Sequence, residues 1–271
     1  MNRLQDKPGY AANCSILFTE LPLLERPAAA KAAGFDGVEF WWPFADPVPG
    51  DAAVDTFVAV IENAGVQLVA LNFAAGDMPG GDRGLVSWPE RCDAFRANIP
   101  ITLSIGQRLG CRMFNALYGN RVEGVDPHAQ DDLAAENLAL AATAAASIDG
   151  TVLVEPLSGA DRYPLLTAAS AIDVIDRVTR ESGVENLGLL ADLYHLAVND
   201  EDVDKVIATY ADRVAHVQIA DAPGRNEPGT GYLPIARWLD DLASEGYDGW
   251  VGLEYKPSTS SIDSFGWVSG A

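Results

Sequence analysis

Cysteine and histidine are scarce: the chain of 271 residues carries three of each. Cys14, Cys92 and Cys111 are odd in number and share no C-x-x-C spacing. Neither a disulfide framework nor a thiolate metal site is supported, and buried reduced thiols are expected. Basic residues are also few, 18 against 39 acidic ones, for a formal charge of -21. They are scattered rather than clustered, which argues against nucleic acid as a partner and leaves the acidity as a solubility feature. No apolar run approaches the roughly 20 residues of a membrane span. The start, Met-Asn-Arg-Leu-Gln-Asp-Lys-Pro, lacks the apolar core of a secretory leader. The expectation is a cytoplasmic protein with no membrane partner. Two nucleotide signatures are missing as well: no G-x-G-x-x-G follows the first strand-like run, and no G-x-x-x-x-G-K-[ST] occurs to cradle a phosphate.

What is present is a chain with 48% hydrophobic and 21% charged residues, enough to bury the core of one large α/β domain over 1–271. One pattern repeats along it: a helical stretch, a Gly, then an apolar strand. It occurs around Gly34, Gly65, Gly110, Gly183 and Gly246. Gly tolerates the left-handed turn that closes a helix, and short links of this kind belong to repeated βα units around a parallel sheet. Eight candidate strands begin near Ala11, Val38, Gln67, Arg112, Thr151, Leu187, Val214 and Trp250. Eight units close a (β/α)8 barrel. A doubly wound open sheet is the weaker alternative, because polar strand ends extend across the whole set instead of gathering at one switch point. Leu133 to Ala146 reads as a helix, and so does Arg91 to Leu109, with Pro100 expected to kink it or break it in two. Two long Gly- and Pro-containing loops, 73–84 and 222–231, have the length of lids or binding loops, with plain turn chemistry as the alternative. The tail from Ser258 to Ala271 carries Phe265 and Trp267, which could dock on the barrel or on another subunit of a homo-oligomer.

Seven strands end in a polar residue: Glu39, Asn72, Asn115, Glu155, Asp192, Gln218 and Glu254, while the first passes through Asn13. An isolated carboxylate at the end of an apolar strand is costly to dehydrate, so three of them with an amide at one mouth suggest a bound cation, a shared proton or both. Glu155, Asp192, Gln218 and Glu254 offer only oxygen, which suits Mg2+ or Mn2+ better than zinc. With such an ion between them, Glu155 and Glu254 could flank a small substrate, one taking a carbon-bound proton while the other returns it. His195, three residues past Asp192, is a candidate for substrate contact. His216 alternates with Gln218 and suits a core or supporting role, while His128 at a helix start reads as structural. Arg225 and Lys256, just past the seventh and eighth strands, and Arg83 in the third rim loop are the best-placed cations for a substrate carboxylate. Asn72 joins them as a polar strand end on the same rim. Trp41 and Trp42 could wall the pocket.

Several segments together resemble a known family: Asn-Cys-Ser-Ile-Leu-Phe at 13–18, Gly-Val-Glu-Phe at 37–40, Ala-Gly-Asp at 75–77, Glu155-Pro156, Asp192-Leu-Tyr-His195, His216-Val-Gln-Ile-Ala-Asp221, Glu-Pro-Gly-Thr-Gly at 227–231, and Gly246 through Pro257. The chain is similar to the hydroxypyruvate isomerase family within the xylose isomerase-like barrel superfamily. The resemblance implies interconversion of hydroxypyruvate and tartronate semialdehyde, with Glu155 and Glu254 as the acid/base pair and no organic cofactor. It also implies a divalent ion on Glu155, Asp192, Gln218 and Glu254, with His195 and Arg225 touching a small hydroxy-oxo acid. The chain departs from the family at Ser158-Gly159-Ala160, where Asn-His-Phe is usual. That departure keeps a four-carbon 2-oxo-tetronate open as the substrate, and a sugar epimerase or a metabolite-binding barrel are further readings of the same residues.

Overall fold

The computed structural model describes residues 9–270. The amino-terminal residues 1–8, where no leader core was found, and the last residue of the tail lie outside them. Eight parallel strands close into a barrel in sequence order: β1 (Tyr10–Asn13), β2 (Gly37–Phe40), β3 (Gln67–Asn72), β4 (Met113–Asn115), β5 (Thr151–Val154), β6 (Leu187–Asp192), β7 (Val214–Ile219) and β8 (Val251–Leu253). β8 pairs back onto β1, with Ala12 opposite Leu253. The open-sheet alternative is thereby set aside. The strand starts fall at or within one residue of those expected. They read as continuous apolar runs because helices cover the outside and side chains fill the inside, so both faces are buried.

The outer layer is α1 (Arg26–Ala32), α2 (Asp51–Ala64), α3 (Cys92–Leu109), α4 (Pro127–Ala145), α5 (Ala168–Ser182), α6 (Leu193–Val198), α7 (Val203–Tyr210) and α8 (Ile235–Ser244). Gly65 and Gly110 end α2 and α3 in the left-handed conformation, with φ of 67° and 71°. Asp126 caps α4 by accepting the His128 backbone N–H, which gives the neighbourhood of His128 its structural role.

Of the kink or break expected at Pro100, the break does not occur: α3 is one continuous helix with Pro100 inside it. Phe95, Ile99 and Leu103 hold its inner face in the core, while Pro100 and Arg96 are exposed. Pro100 thus lies on the solvent side of α3, opposite the face that anchors the helix.

The eighth unit has no full helix. A 3-10 segment over Asp263–Gly270 closes it, and the tail docks on its own barrel. Phe265 packs against Phe35 and Phe18 at 4.8 and 5.6 Å, and Trp267 meets Tyr10 edge-on at 5.3 Å. Cys14 and Cys111 are buried free thiols as expected, whereas Cys92 is only half-buried at the start of α3. Among the described residues no helix is long and apolar enough to cross a membrane.

Candidate active site

Because all eight strands run the same way, their carboxyl ends share one mouth. A cavity of about 500 Å³ opens there, and Asn72, Arg83, Glu155, His195, Arg225, Glu254 and Lys256 all line it. Asp192 and Gln218 lie at the strand ends themselves, buried, and are register partners across β6 and β7.

Each carboxylate is held by a different local device. Asp192 caps α6: its Oδ1 accepts the backbone N–H groups of Tyr194 and His195 at 2.9 and 3.4 Å. Its Oδ2 has no hydrogen-bond partner among the described residues. Glu155 accepts Asn115 Nδ2 at 2.6 Å. Glu254 takes three donors: Arg225 Nη2 at 2.7 Å and Trp41 Nε1 at 3.3 Å on Oε1, and Asn13 Nδ2 at 3.3 Å on Oε2.

A second polar layer sits inside the barrel around Glu39, which is 1% exposed. Its carboxylate accepts Asn13 Nδ2 at 3.0 Å and Gln218 Nε2 at 2.7 Å, and pairs with His216 Nε2 at 2.8 Å. Glu39 thus serves the barrel interior rather than the rim, and His216 supports it there. Because the Gln218 amide spends its nitrogen on Glu39, its Oε1 is fixed the other way, buried and without a partner among the described residues. Gly252 on β8 makes room for this carboxylate: a Cβ there would come within 2.5 Å of both Glu39 oxygens.

Burial sets the acidities. The Glu155 carboxyl is pushed well above its ordinary range, first by burial and then by the charges of Glu254 and Asp192. Glu254 is pushed up to about 8 by burial, with Arg225 pulling the other way. His195 is lowered to about 4, because burial disfavours its cation more than Asp192 favours it. The Ser158 backbone N–H donates to Nδ1 at 3.1 Å, so the ring proton belongs on Nε2, 3.5 Å from Asp192 Oδ2. The Ser158 hydroxyl adds a 2.7 Å contact to the same Nδ1. His195 is therefore a neutral N–H donor aimed by Ser158.

The donor set fits a hard divalent ion. Glu155, Asp192 and His195 bring potential ligand atoms within 4.8 Å of one another. His195 is the poorest of them, since its outward nitrogen carries a proton. The two unpartnered oxygens of Asp192 and Gln218 are of the type Mg2+ and Mn2+ prefer. Asp192 Oδ2 has only long contacts, His195 Nε2 at 3.5 Å and Arg225 Nη2 at 3.6 Å, and a bound cation is one way to satisfy such a buried oxygen.

The two long loops are tightly organised. Asp221 accepts backbone N–H groups from Ala222, Gly229, Gly231 and Leu233 at 2.9 to 3.0 Å, which folds 222–231 around one carboxylate and presents Arg225 to the cavity. Arg83 spends part of its guanidinium on its own loop, donating to Met78 O at 3.0 Å and Asp82 O at 2.6 Å. Lys256 is exposed at the rim, while Trp42 walls a neighbouring cavity beside Phe44.

Sequence reasoning did not assign Asn13, Asn115 and Ser158 their roles. The first two were visible as polar strand ends, yet nothing in one sequence says that Asn13 would span Glu39 and Glu254. Ser158 stood out only as a departure from a motif.

The whole geometry agrees with what comparison finds. The model of the xylose isomerase-like TIM barrel family matches residues 27–269. A Streptomyces coelicolor protein provisionally named hydroxypyruvate isomerase is 56% identical over 96% of this chain and 95% of its own. A 2-oxo-tetronate isomerase of Cupriavidus necator is 32% identical over 96% of this chain and 97% of its own. The crystal structure of a Brucella melitensis protein titled AP endonuclease, family 2, superposes with a TM-score of 0.87 at 34% identity, covering 97% of this chain and 98% of that one.

Proposed function

The chain belongs to the xylose isomerase-like TIM barrel family, and on that footing we propose that it is an isomerase interconverting hydroxypyruvate and tartronate semialdehyde. The observation that carries this reading is the pair Glu155 and Glu254: two buried carboxyls with raised acidities line one small cavity that also holds Arg225 and Lys256.

The reaction moves hydrogen between two adjacent carbons and changes no net oxidation state. Arg225 and Lys256 hold the substrate carboxylate. A base takes a proton from C3 of hydroxypyruvate, the proton of the C3 hydroxyl passes to the C2 oxygen at the enediolate stage, and an acid returns a proton to C2. Positive charge beside Glu254, supplied by Arg225 in the free site, favours its ionisation and suits it as the base in this direction. Glu155, kept protonated by its surroundings, suits the acid, and the roles exchange in reverse. His195 donates its Nε2 proton to a substrate oxygen, stabilising the negative charge that develops there. A divalent ion held by Asp192, Gln218 and the two glutamates would polarise the substrate oxygens and steady the same charge. No organic cofactor is needed.

The second reading is a 2-oxo-tetronate isomerase. The cavity is generous for a three-carbon acid, Ser158 and Gly159 line it with small side chains, and one relative carries that name. The endonuclease title belongs to its own protein. For this chain, a formal charge of -21 and a single histidine at the cavity weigh against a phosphate-backbone substrate. A panel of hydroxypyruvate, a 2-oxo-tetronate and a neutral ketose, each followed by proton NMR with purified protein, tests the proposal. Fastest turnover is expected on hydroxypyruvate. Preference for the tetronate moves the assignment to the second reading, and turnover of the ketose alone sinks both.

A further inference from the structure

Arg225 does more in this site than wait for a substrate carboxylate. Its Nη2 lies 2.7 Å from Glu254 Oε1 and 3.6 Å from Asp192 Oδ2, so one guanidinium spans two of the residues expected to hold a divalent ion. The Asp192 oxygen it approaches is the one that has no hydrogen-bond partner among the described residues. Glu254, by contrast, has both oxygens engaged by protein donors, Arg225 the nearest of them. Glu254 cannot offer Oε1 freely to an ion while Arg225 stays. Two cations sharing these oxygens in a buried site repel each other strongly, since little water screens them.

The arginine is placed to move without unfolding anything. It sits at φ 54°, a left-handed backbone, on the loop pinned by Asp221 and by the Asp221–Asn226 backbone bridge. Its backbone is further tied to β8, since Lys256 N donates to Arg225 O at 2.7 Å. The guanidinium, 5.5 Å from the Tyr194 ring centre, sits at the end of a long flexible stem. Turning that stem releases Asp192 and Glu254, at the cost of the long bond that Arg225 Nε donates to Glu254 O at 3.3 Å. Something must then receive the charge, and a ligand carboxylate in the same cavity is the matching partner, because a guanidinium meets a carboxylate with two parallel hydrogen bonds.

We propose that the Arg225 guanidinium and a divalent ion compete for Asp192 and Glu254, so that a carboxylate ligand, by drawing Arg225 away, and the ion strengthen each other's binding. This rests on the metal-assisted reading of the site given above. It gives the site an order: the ion is held firmly only once an acid is present, and a neutral sugar gains no such help. Reciprocity follows, since whatever factor the acid adds to ion affinity the ion adds to acid affinity.

The test is Mn2+ binding to chelator-treated protein, measured by titration calorimetry with and without excess pyruvate. Pyruvate supplies the carboxylate and the 2-oxo group but lacks the hydroxyl needed to isomerise. In the wild type, pyruvate is expected to tighten Mn2+ binding about fivefold or more. In Arg225→Met, Mn2+ should bind about tenfold more tightly than in the wild type without pyruvate, and pyruvate should add clearly less than it adds in the wild type. A wild-type Mn2+ affinity unmoved by pyruvate overturns the proposal, as does an Arg225→Met protein that binds Mn2+ no more tightly. If Arg225→Met does not fold, Arg225→Lys replaces it, with a smaller gain expected and no gain again contradictory. Wild-type turnover of hydroxypyruvate is assayed separately. Turnover without coupling refutes the competition alone, and coupling without turnover refutes the hydroxypyruvate reading alone.

Discussion

Asp192 and Gln218 stand opposite each other across β6 and β7, and each keeps one buried oxygen without a hydrogen-bond partner among the described residues. Adjacent strands in a parallel barrel bring register partners close, and in the metal-assisted reading proposed above these two oxygens would serve as ligands for the ion. Glu39 makes this possible on one side by taking the Gln218 amide nitrogen, and the α6 cap makes it possible on the other by taking Asp192 Oδ1.

Saturating Mg2+ or Mn2+ should therefore stabilise chelator-treated protein. At about 100 times the dissociation constant the gain is roughly 2.7 kcal/mol, a rise of about 5 to 10 °C in melting temperature for a chain of this size. Asp192→Ala should lose that rise. Scanning calorimetry with and without the ion reads it.

Replacing Glu254 or Glu155 by Gln keeps shape and removes the proton traffic. Each change should cut turnover of the preferred acid by about 10²- to 10⁴-fold while leaving the circular dichroism of the barrel unchanged. Steady-state assays on folded variants check it, and a variant retaining more than a tenth of wild-type turnover would remove that residue from the chemistry.

Stability should fall as pH rises from about 6.5 to 8 in the metal-free protein, above the range where His195 titrates. The Glu254 carboxyl ionises near 4.5 when unfolded and at about 8 in the fold. Between those values the folded state holds a proton that the unfolded state has lost. The resulting stability is complete below about 4.5 and shrinks progressively until pH passes about 8. The span is a few kcal/mol, on the order of the full difference between the two acidities. Urea midpoints from pH 6.5 to 8, above the range in which the lowered acidity of His195 acts with the opposite sign, should decline in the wild type and decline less in Glu254→Gln.

Much of this was legible in the sequence because barrels are written in repeated local signals. Gly65 and Gly110 mark helix ends through a backbone angle that other residues avoid, and apolar strands such as β6 announce burial on both faces. Glu155, Asp192, Gln218 and Glu254 stood out because polar ends on buried strands are expensive. Contacts between distant positions were not legible. Asn13 reaches Glu254 across 241 residues and His216 reaches Glu39 across 177, and only closure of the barrel creates either pair. The continuity of α3 through Pro100 was not legible either, because it depends on Phe95, Ile99 and Leu103 anchoring the opposite face in the core.

Ser158→Ala should leave the fold intact and loosen His195. The backbone N–H on Nδ1 remains, so the tautomer is retained, but the 2.7 Å hydroxyl contact is lost. A fall in kcat of about 3- to 10-fold with little change in KM is expected, consistent with the loss of one neutral hydrogen bond of about 1 kcal/mol. An unchanged kcat would remove Ser158 from the positioning of His195.

Gly252→Ala should be among the most damaging small changes on β8. The added methyl collides with both Glu39 oxygens and disturbs the contacts that orient Gln218 and Asn13. A loss of about 2 to 4 kcal/mol is expected, together with weaker ion binding. Denaturant melts and an ion titration on the same sample separate the two effects.

The most direct test of the account is isotope incorporation: wild-type protein and Glu254→Gln, each with hydroxypyruvate in D2O, followed by proton NMR. The account predicts tartronate semialdehyde carrying solvent deuterium at C2 for the wild type, and almost none for the variant over the same period. Product formed without any deuterium, or formed equally by Glu254→Gln, would contradict proton transfer through the two glutamates.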